Sequence, residues 1–243
     1  MGEPAAMMIA KMPRASLPLL ALAALAAVAQ QPAKLLFSDD FTRGLSPERW
    51  KVELEKGGTV EARGGILSLD VPAGCTVWFR PELSGPVVIE YEATMIRRDG
   101  LNDRVSDLNC FWMASDALVQ RSGKFADYNT LRGYYVGQGG NTNTTTRFRR
   151  YIGDPVLRPL LPEHDLKAPL LEPNKPMKIR LMADGSHIQY ACDGHVIFDY
   201  SDPQPYTRGR FGFRTTFSHI EIKGFRVWKV PPSAQGRPGD LPE

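Results

Sequence analysis

Residues 134–151, YYVGQGGNTNTTTRFRRY, gather tyrosine, asparagine, threonine and arginine around a run of glycines, with little apolar material to fill a core. Each of these residue types suits a polyhydroxylated ligand. Tyr135 can stack on a sugar ring or exchange a proton, and Asn141 and Asn143 can hold hydroxyls through both sides of their amides. Tyr151 joins them as a binding candidate. Arg147 and Arg149, two apart, share one face of a strand, and an arginine fork matches a carboxylate bidentately. Glycines 137, 139 and 140 let backbone approach a ligand closely.

Other segments supply further groups. Arg104, Asp107 and Asn109 in NDRVSDLN place charge and amide just before an apolar strand, and Phe111 follows on the same face as Asn109. Arg214 in GRFGFRTT lies opposite Phe211 and Phe213, and an inward guanidinium requires a partner, for which Asp107 is the expected residue. His219 is an alternative base. Arginine, asparagine and tyrosine are the groups needed to cleave a uronic-acid polymer by β-elimination. Arg147, Arg149 or Arg214 with Asn109 would neutralise the carboxylate, and Tyr135 or His219 would move the proton. Tyr135, ordinarily near pKa 10, would have to be shifted by those cations. A non-catalytic carbohydrate-binding module needs the same stacking and amide groups without a proton carrier. Glycoside hydrolysis needs two opposed carboxylates about 5–9.5 Å apart, and no Glu-x-Asp-x-x-Glu strand is present; Glu90 and Glu92 mark a solvated face. His164, His187 and His195 show no zinc spacing, and no cofactor is expected beyond a structural calcium at Asp39 and Asp40.

These groups must be positioned by strands. Residues 87–95 put Val87, Ile89, Tyr91, Ala93 and Met95 on one face and Glu90, Glu92 and Thr94 on the other, the period of a half-buried strand. In 107–113, Leu108, Cys110 and Trp112 face the core while Asp107, Asn109 and Phe111 face a mixed surface suited to a ligand. Residues 177–200 read as a meander with Asp-Gly turns, and 209–216 and 219–230 as two more strands. The segments 114–130 and 155–172 are read as short helices or loops. The pattern predicts an all-β chain, an antiparallel sandwich or barrel.

The ends read differently. Lys11 and Arg14 precede an apolar run from Leu17 to Val28 that closes on Ala27-Val28-Ala29, the pattern of a secretory signal peptide over 1–29. The domain then covers 30–230, and the Pro-rich tail 231–243 is expected to be disordered. The mature chain is expected in the periplasm or outside the cell, as a monomer, with no membrane contact after cleavage. Removal of 1–29 leaves 28 basic and 26 acidic residues, a formal charge of +2. A chain so close to neutral is not a nucleic-acid binder, and the glycines lack the Gly-x-Gly-x-x-Gly spacing of a nucleotide site. Cys75, Cys110 and Cys192 are odd in number and sit among apolar neighbours, so buried free thiols are expected.

The order of segments resembles a known superfamily. LLFSDDFTRGLSPERWKV resembles the opening of secreted jelly-roll domains, and PVVIEYEATM followed by SDLNCFWMASD resembles the paired strands lining their groove. NKPMKIRLMADGSHIQYACDGHVIFDYSD and YTRGRFGFRTTFSHIEIKGFRVWKV resemble their closing meander. Over residues 35–230 the chain looks like the concanavalin A-like lectin/glucanase superfamily, and within it like secreted bacterial domains associated with polysaccharide use. It is similar in layout to jelly-roll polysaccharide lyases and to 3-keto-glycoside-cleaving domains. The resemblance implies a jelly roll acting on extracellular polysaccharide or oligosaccharide, here an acidic one. One such fold hosts binding modules, hydrolases and lyases alike.

Overall fold

The computed structural model describes residue 2, residues 33–157 and residues 159–231. The signal peptide and the tail expected from the sequence lie almost wholly outside these residues. Among the described residues fourteen strands follow in order: β1 (Lys34–Asp39), β2 (Trp50–Leu54), β3 (Thr59–Arg63), β4 (Ile66–Phe79), β5 (Leu83–Ser84), β6 (Val87–Met95) and β7 (Leu108–Ala114). Then come β8 (Arg132–Gly139), β9 (Thr145–Ile152), β10 (Asp165–Leu166), β11 (Pro176–Asp184), β12 (His187–Cys192), β13 (His195–Ser201) and β14 (Arg208–Lys229). All named strand pairs are antiparallel, in the order β10-β9-β8-β7-β14-β6-β11-β12-β13, with β4 also on β14. The fold is a jelly-roll β-sandwich. Among the described residues helix is confined to short turns, Phe125–Tyr128 and Pro162–His164 inside the two segments read as helices or loops, and Gly140–Asn143 between β8 and β9.

The two strands expected at 209–216 and 219–230 are one strand of 22 residues. Its first part pairs with β7 and the end of β4, and its second part with β6 and the start of β4. Phe211 and Phe213 are buried, then Ile220 and Ile222, then Phe225 and Val227. The parity of the inward set changes twice, at irregularities near Phe217 (φ 43°) and Gly224 (φ 61°). An extra residue in a strand flips every later side chain, so a bulge reads in sequence as a strand end.

Trp50 anchors the core, with ring centroids 5.6 Å from Phe213 and 5.1 Å from Phe225. Strand β7 sends Leu108, Cys110 and Trp112 into this core, as its alternation predicts. Its other face is buried as well, because the segment 115–131 packs over it. Arg121 pins that segment from within by donating to Asp116 O and Asp127 O, and Lys51 Nζ donates to Leu118 O and Val119 O. All three cysteines are free and buried.

Candidate functional site

Cross-strand registers bring the groups together. Phe111 pairs with Tyr135 and Tyr135 with Arg149 in one row of the sheet. In the next row Arg214 pairs with Asn109, Asn109 with Gly137, Gly137 with Arg147 and Arg147 with Asp165. Residues directly opposite one another in a sheet project to the same face. One face therefore carries Asn109, Phe111, Tyr135, Arg147, Arg149, Tyr151 and Arg214, drawn from four strands.

Phe111 is the hub of an aromatic floor, with ring centroids 5.1 Å from Tyr135, 5.6 Å from Tyr151, 5.5 Å from Tyr128 and 5.5 Å from Trp78. Above it opens a cavity of about 440 Å³ lined by Phe125, Tyr135, Arg147, Arg149, Tyr151, Pro159 and Leu160. Four of these seven are sequence candidates. Phe125 comes from the covering segment and Pro159 and Leu160 from the β9–β10 connection; no local signal in their sequence marked them. Asp165 was missed for the same reason. Its Oδ1 lies 2.5 Å from Arg149 Nη2 and its Oδ2 3.6 Å from Arg147 Nε.

Gly137 has a specific role in this face. A Cβ there would stand 2.7 Å from the Tyr135 hydroxyl and 3.1 Å from Asn109 Oδ1, so only glycine leaves room for the phenol. Burial pushes the Tyr135 phenol well above its usual value of 10, Tyr151 and Asp107 push it further, and the pull of Arg214 in the other direction is weaker. The expected lowering by cations is thus reversed, because loss of water around the ring outweighs one guanidinium. Tyr135 is a neutral hydrogen-bonding group.

Arg214 is on the face but beneath its cover, only 2% exposed. Its Nη1 donates to Thr76 Oγ1 and to Gly123 O at 2.9 Å each, and its Cζ lies 4.5 Å from the Tyr128 ring centre. The expected Asp107 partner is engaged elsewhere: Asp107 Oδ2 accepts from Arg104 Nη2 at 2.6 Å. Arg104 also donates to Thr216 O and Phe217 O, so this pair braces the β14 irregularity rather than lining the cavity. The buried carboxylate on the face is Glu53, which sequence reasoning also missed. It accepts from Trp78 Nε1, Tyr128 OH and Lys51 Nζ, at 2.9, 2.8 and 2.6 Å.

Three further candidates also lie away from the cavity. His219 follows the β14 irregularity, where the strand has left β7 and runs beside β4 and β6, and sits between Ser68 Oγ (3.1 Å from Nε2) and Asp103 Oδ1 (3.0 Å from Nδ1). Burial raises the Asp103 carboxyl, but the N–H groups of Arg98 and Gly100 and the contact with His219 together hold it below its usual value. The trio ties the 96–107 loop to the sheet. Asn141 and Asn143 belong to a left-handed turn between β8 and β9, with φ of 52° and 57°. Asn143 Nδ2 donates to Leu171 O and its Oδ1 accepts from Leu171 N, which fastens a distant loop, while Asn141 is exposed. The carboxylates of Asp39 and Asp40 take backbone and side-chain hydrogen bonds from Phe41, Trp50 and Thr42.

The architecture is shared with solved structures of low sequence identity. A galectin-like-fold protein of unknown function from Bacillus subtilis is 15% identical with a TM-score of 0.60, over 82% of this chain and 98% of that one. The carbohydrate-binding module CBM66 from Bacillus subtilis is 13% identical, TM-score 0.53, over 73% and 94%. An endo-β-1,3-glucanase from Pyrococcus furiosus is 11% identical, TM-score 0.57, over 83% and 96%. These likenesses establish the concanavalin A-like fold that the quoted segments implied. No curated protein matches the chain in sequence. A family model matches residues 69–225, more than half of the sequence, and the chain belongs to DUF6250, a domain of unknown function.

Proposed function

We propose that the protein binds an acidic saccharide, as an exported monomeric carbohydrate-binding domain, in the cavity between the β7-β8-β9 face and its covering loops. The observation that carries this reading is the lining itself: the rings of Phe125, Tyr135 and Tyr151 beside the guanidinium group of Arg147, which Arg149 and Asp165 flank. Aromatic faces take the apolar faces of sugar rings, and arginine forks take carboxylates. The names of the structural relatives, a carbohydrate-binding module and a glucanase among them, are in keeping with a saccharide ligand.

Binding is favoured over chemistry for two reasons. β-Elimination needs a base near neutrality, and burial moves Tyr135 the other way. Hydrolysis needs two facing carboxylates, and the described lining residues include none. The test is incubation of the purified protein with uronate-containing and neutral polysaccharides, following affinity electrophoresis together with the ultraviolet absorbance of unsaturated uronides. Binding without product is expected, and Tyr135→Phe should keep binding with at most about a tenfold loss, the worth of one neutral hydrogen bond. Absorbance that rises with wild type and stays flat with Tyr135→Phe would restore the lyase reading. Absence of binding to every polymer removes the proposal.

A further inference from the structure

Among the described residues, three buried side-chain polar atoms have no hydrogen-bond partner: Asn109 Oδ1, Trp112 Nε1 and Arg147 Nε. Buried polar atoms are nearly always paired, so each requires an account. Trp112 faces the core. The other two, one acceptor and one donor, stand on the same row of the site face, on either side of Gly137. Adjacent strands are about 4.8 Å apart, so the two backbones are separated by about 10 Å, with the Tyr135 phenol leaning into the space that a Cβ at 137 would fill.

The two arginines of the cavity are not equivalent. Arg149 is engaged by the protein at both terminal nitrogens: Nη1 donates to Phe148 O at 2.8 Å and Leu161 O at 3.0 Å, and Nη2 pairs with Asp165. Arg147 Nε lies 3.6 Å from Asp165 Oδ2, near enough for attraction but not for a hydrogen bond. One carboxylate serves two guanidinium groups, and the uncompensated positive charge lies on Arg147, beside an N–H without an acceptor. A carboxylate entering the cavity would supply both the acceptor and the missing charge.

We infer that this row is a two-point subsite for a single acidic sugar unit. The Arg147 Nε–H donates to the sugar carboxylate, Asn109 Oδ1 accepts from a ring hydroxyl, and the Tyr135 phenol lies between them. Arg149 and Asp165 are positioning residues that hold Arg147 and the 161 loop in place. This assignment rests on the saccharide reading proposed above.

The experiment titrates the full chain with sodium glucuronate, methyl glucoside and sodium acetate while following arginine Nε–H resonances by NMR. Arg147→Gln, Arg149→Gln and Asn109→Ser are compared with wild type, after thermal unfolding has shown each to be folded. Glucuronate is expected to shift the Arg147 resonance saturably and to leave that of Arg149 in place. Arg147→Gln should lose about tenfold or more in glucuronate affinity with methyl glucoside unchanged, the scale of one charge-assisted bond. Arg149→Gln should keep the preference for glucuronate over glucoside, and Asn109→Ser should weaken both sugars alike. A glucuronate preference that survives Arg147→Gln, or that is lost in Arg149→Gln alone, overturns the assignment. Methyl glucoside bound as well as glucuronate by wild type removes the anion point and leaves the saccharide reading standing. Acetate and glucuronate shifting Arg147 alike, with methyl glucoside inert, keeps the anion point and removes the saccharide reading. No response to any ligand removes both.

Discussion

Raising the pH through 10 should unfold this protein in one step, with most of its tyrosines ionising in that same step. Six of the eight tyrosines, Tyr91, Tyr128, Tyr134, Tyr135, Tyr151 and Tyr190, are buried. In each of the six, burial is the largest influence and pushes the phenol above the usual value of 10. Above pH 10 the unfolded chain releases these protons and the native chain keeps them. The unfolded state then binds fewer protons, so the contribution to stability is complete below pH 10 and falls as pH rises. Each group contributes a loss of about 1.4 kcal/mol per pH unit, so six contribute about 8 kcal/mol per unit. A domain of ordinary stability, about 5–15 kcal/mol, cannot withstand more than about two such units. Cys75 and Cys110, each pushed up to about 12 by burial, begin to add to the loss once pH exceeds the usual thiol value of 9. The assay is an alkaline titration that records phenolate absorbance and near-ultraviolet circular dichroism together. Tyr200 and Tyr206 are half-buried and burial raises them too, so whatever absorbance appears before the tertiary signal is lost should come from these two. The other six should appear with unfolding, and Tyr135→Phe should reduce the steepness by about one sixth. Phenolates appearing in numbers while the dichroism stays native would refute the reasoning, and would reopen Tyr135 as a base.

Further outcomes follow from single contacts. Glu53→Leu leaves Lys51 Nζ, Trp78 Nε1 and Tyr128 OH without their shared acceptor, and should lower stability in denaturant titration by about 3–5 kcal/mol. Gly137→Ala drives a methyl against side-chain atoms, the Tyr135 ring tip and Asn109 Oδ1, rather than against backbone, so the protein should stay folded while saccharide affinity falls; unchanged affinity in binding titrations would show that the Tyr135 phenol does not contact ligand. Asp103 is held below its usual value in the native state, so its contribution is present above pH 4 or so and lost as pH falls. Asp103→Asn should therefore destabilise at neutral pH, flatten the acid side of the stability profile, and leave saccharide binding unchanged.

Much of the candidate site was legible because side-chain parity along a strand is local. Asn109 and Phe111 share a face, and so do Arg147, Arg149 and Tyr151, whatever strand lies alongside. The alternation of 87–95 and 107–113, with Asp-Gly turns in the meander, likewise sufficed for the all-β class. His219 shows where local parity stops being enough. The irregularity at Phe217 takes it past the end of the β7 pairing, to a position beside β4 and β6, although it follows Arg214 by only five residues in the same strand.

The sequence by itself determined which chemical groups exist, which of them share a strand face, and that the chain builds a jelly roll. Tertiary structure alone decided which candidates meet. Register set Asn109, Gly137 and Arg147 in one row and supplied Asp165 from an edge strand of two residues. The cover formed by 115–131 closed over Arg214, whose identical charge remains usable at Arg147 only because no carbonyl or carboxylate there completes its hydrogen bonds. Desolvation likewise decided the state of Tyr135. A phenol's affinity for its proton depends on how much water its neighbours exclude, and those neighbours come from other strands and loops.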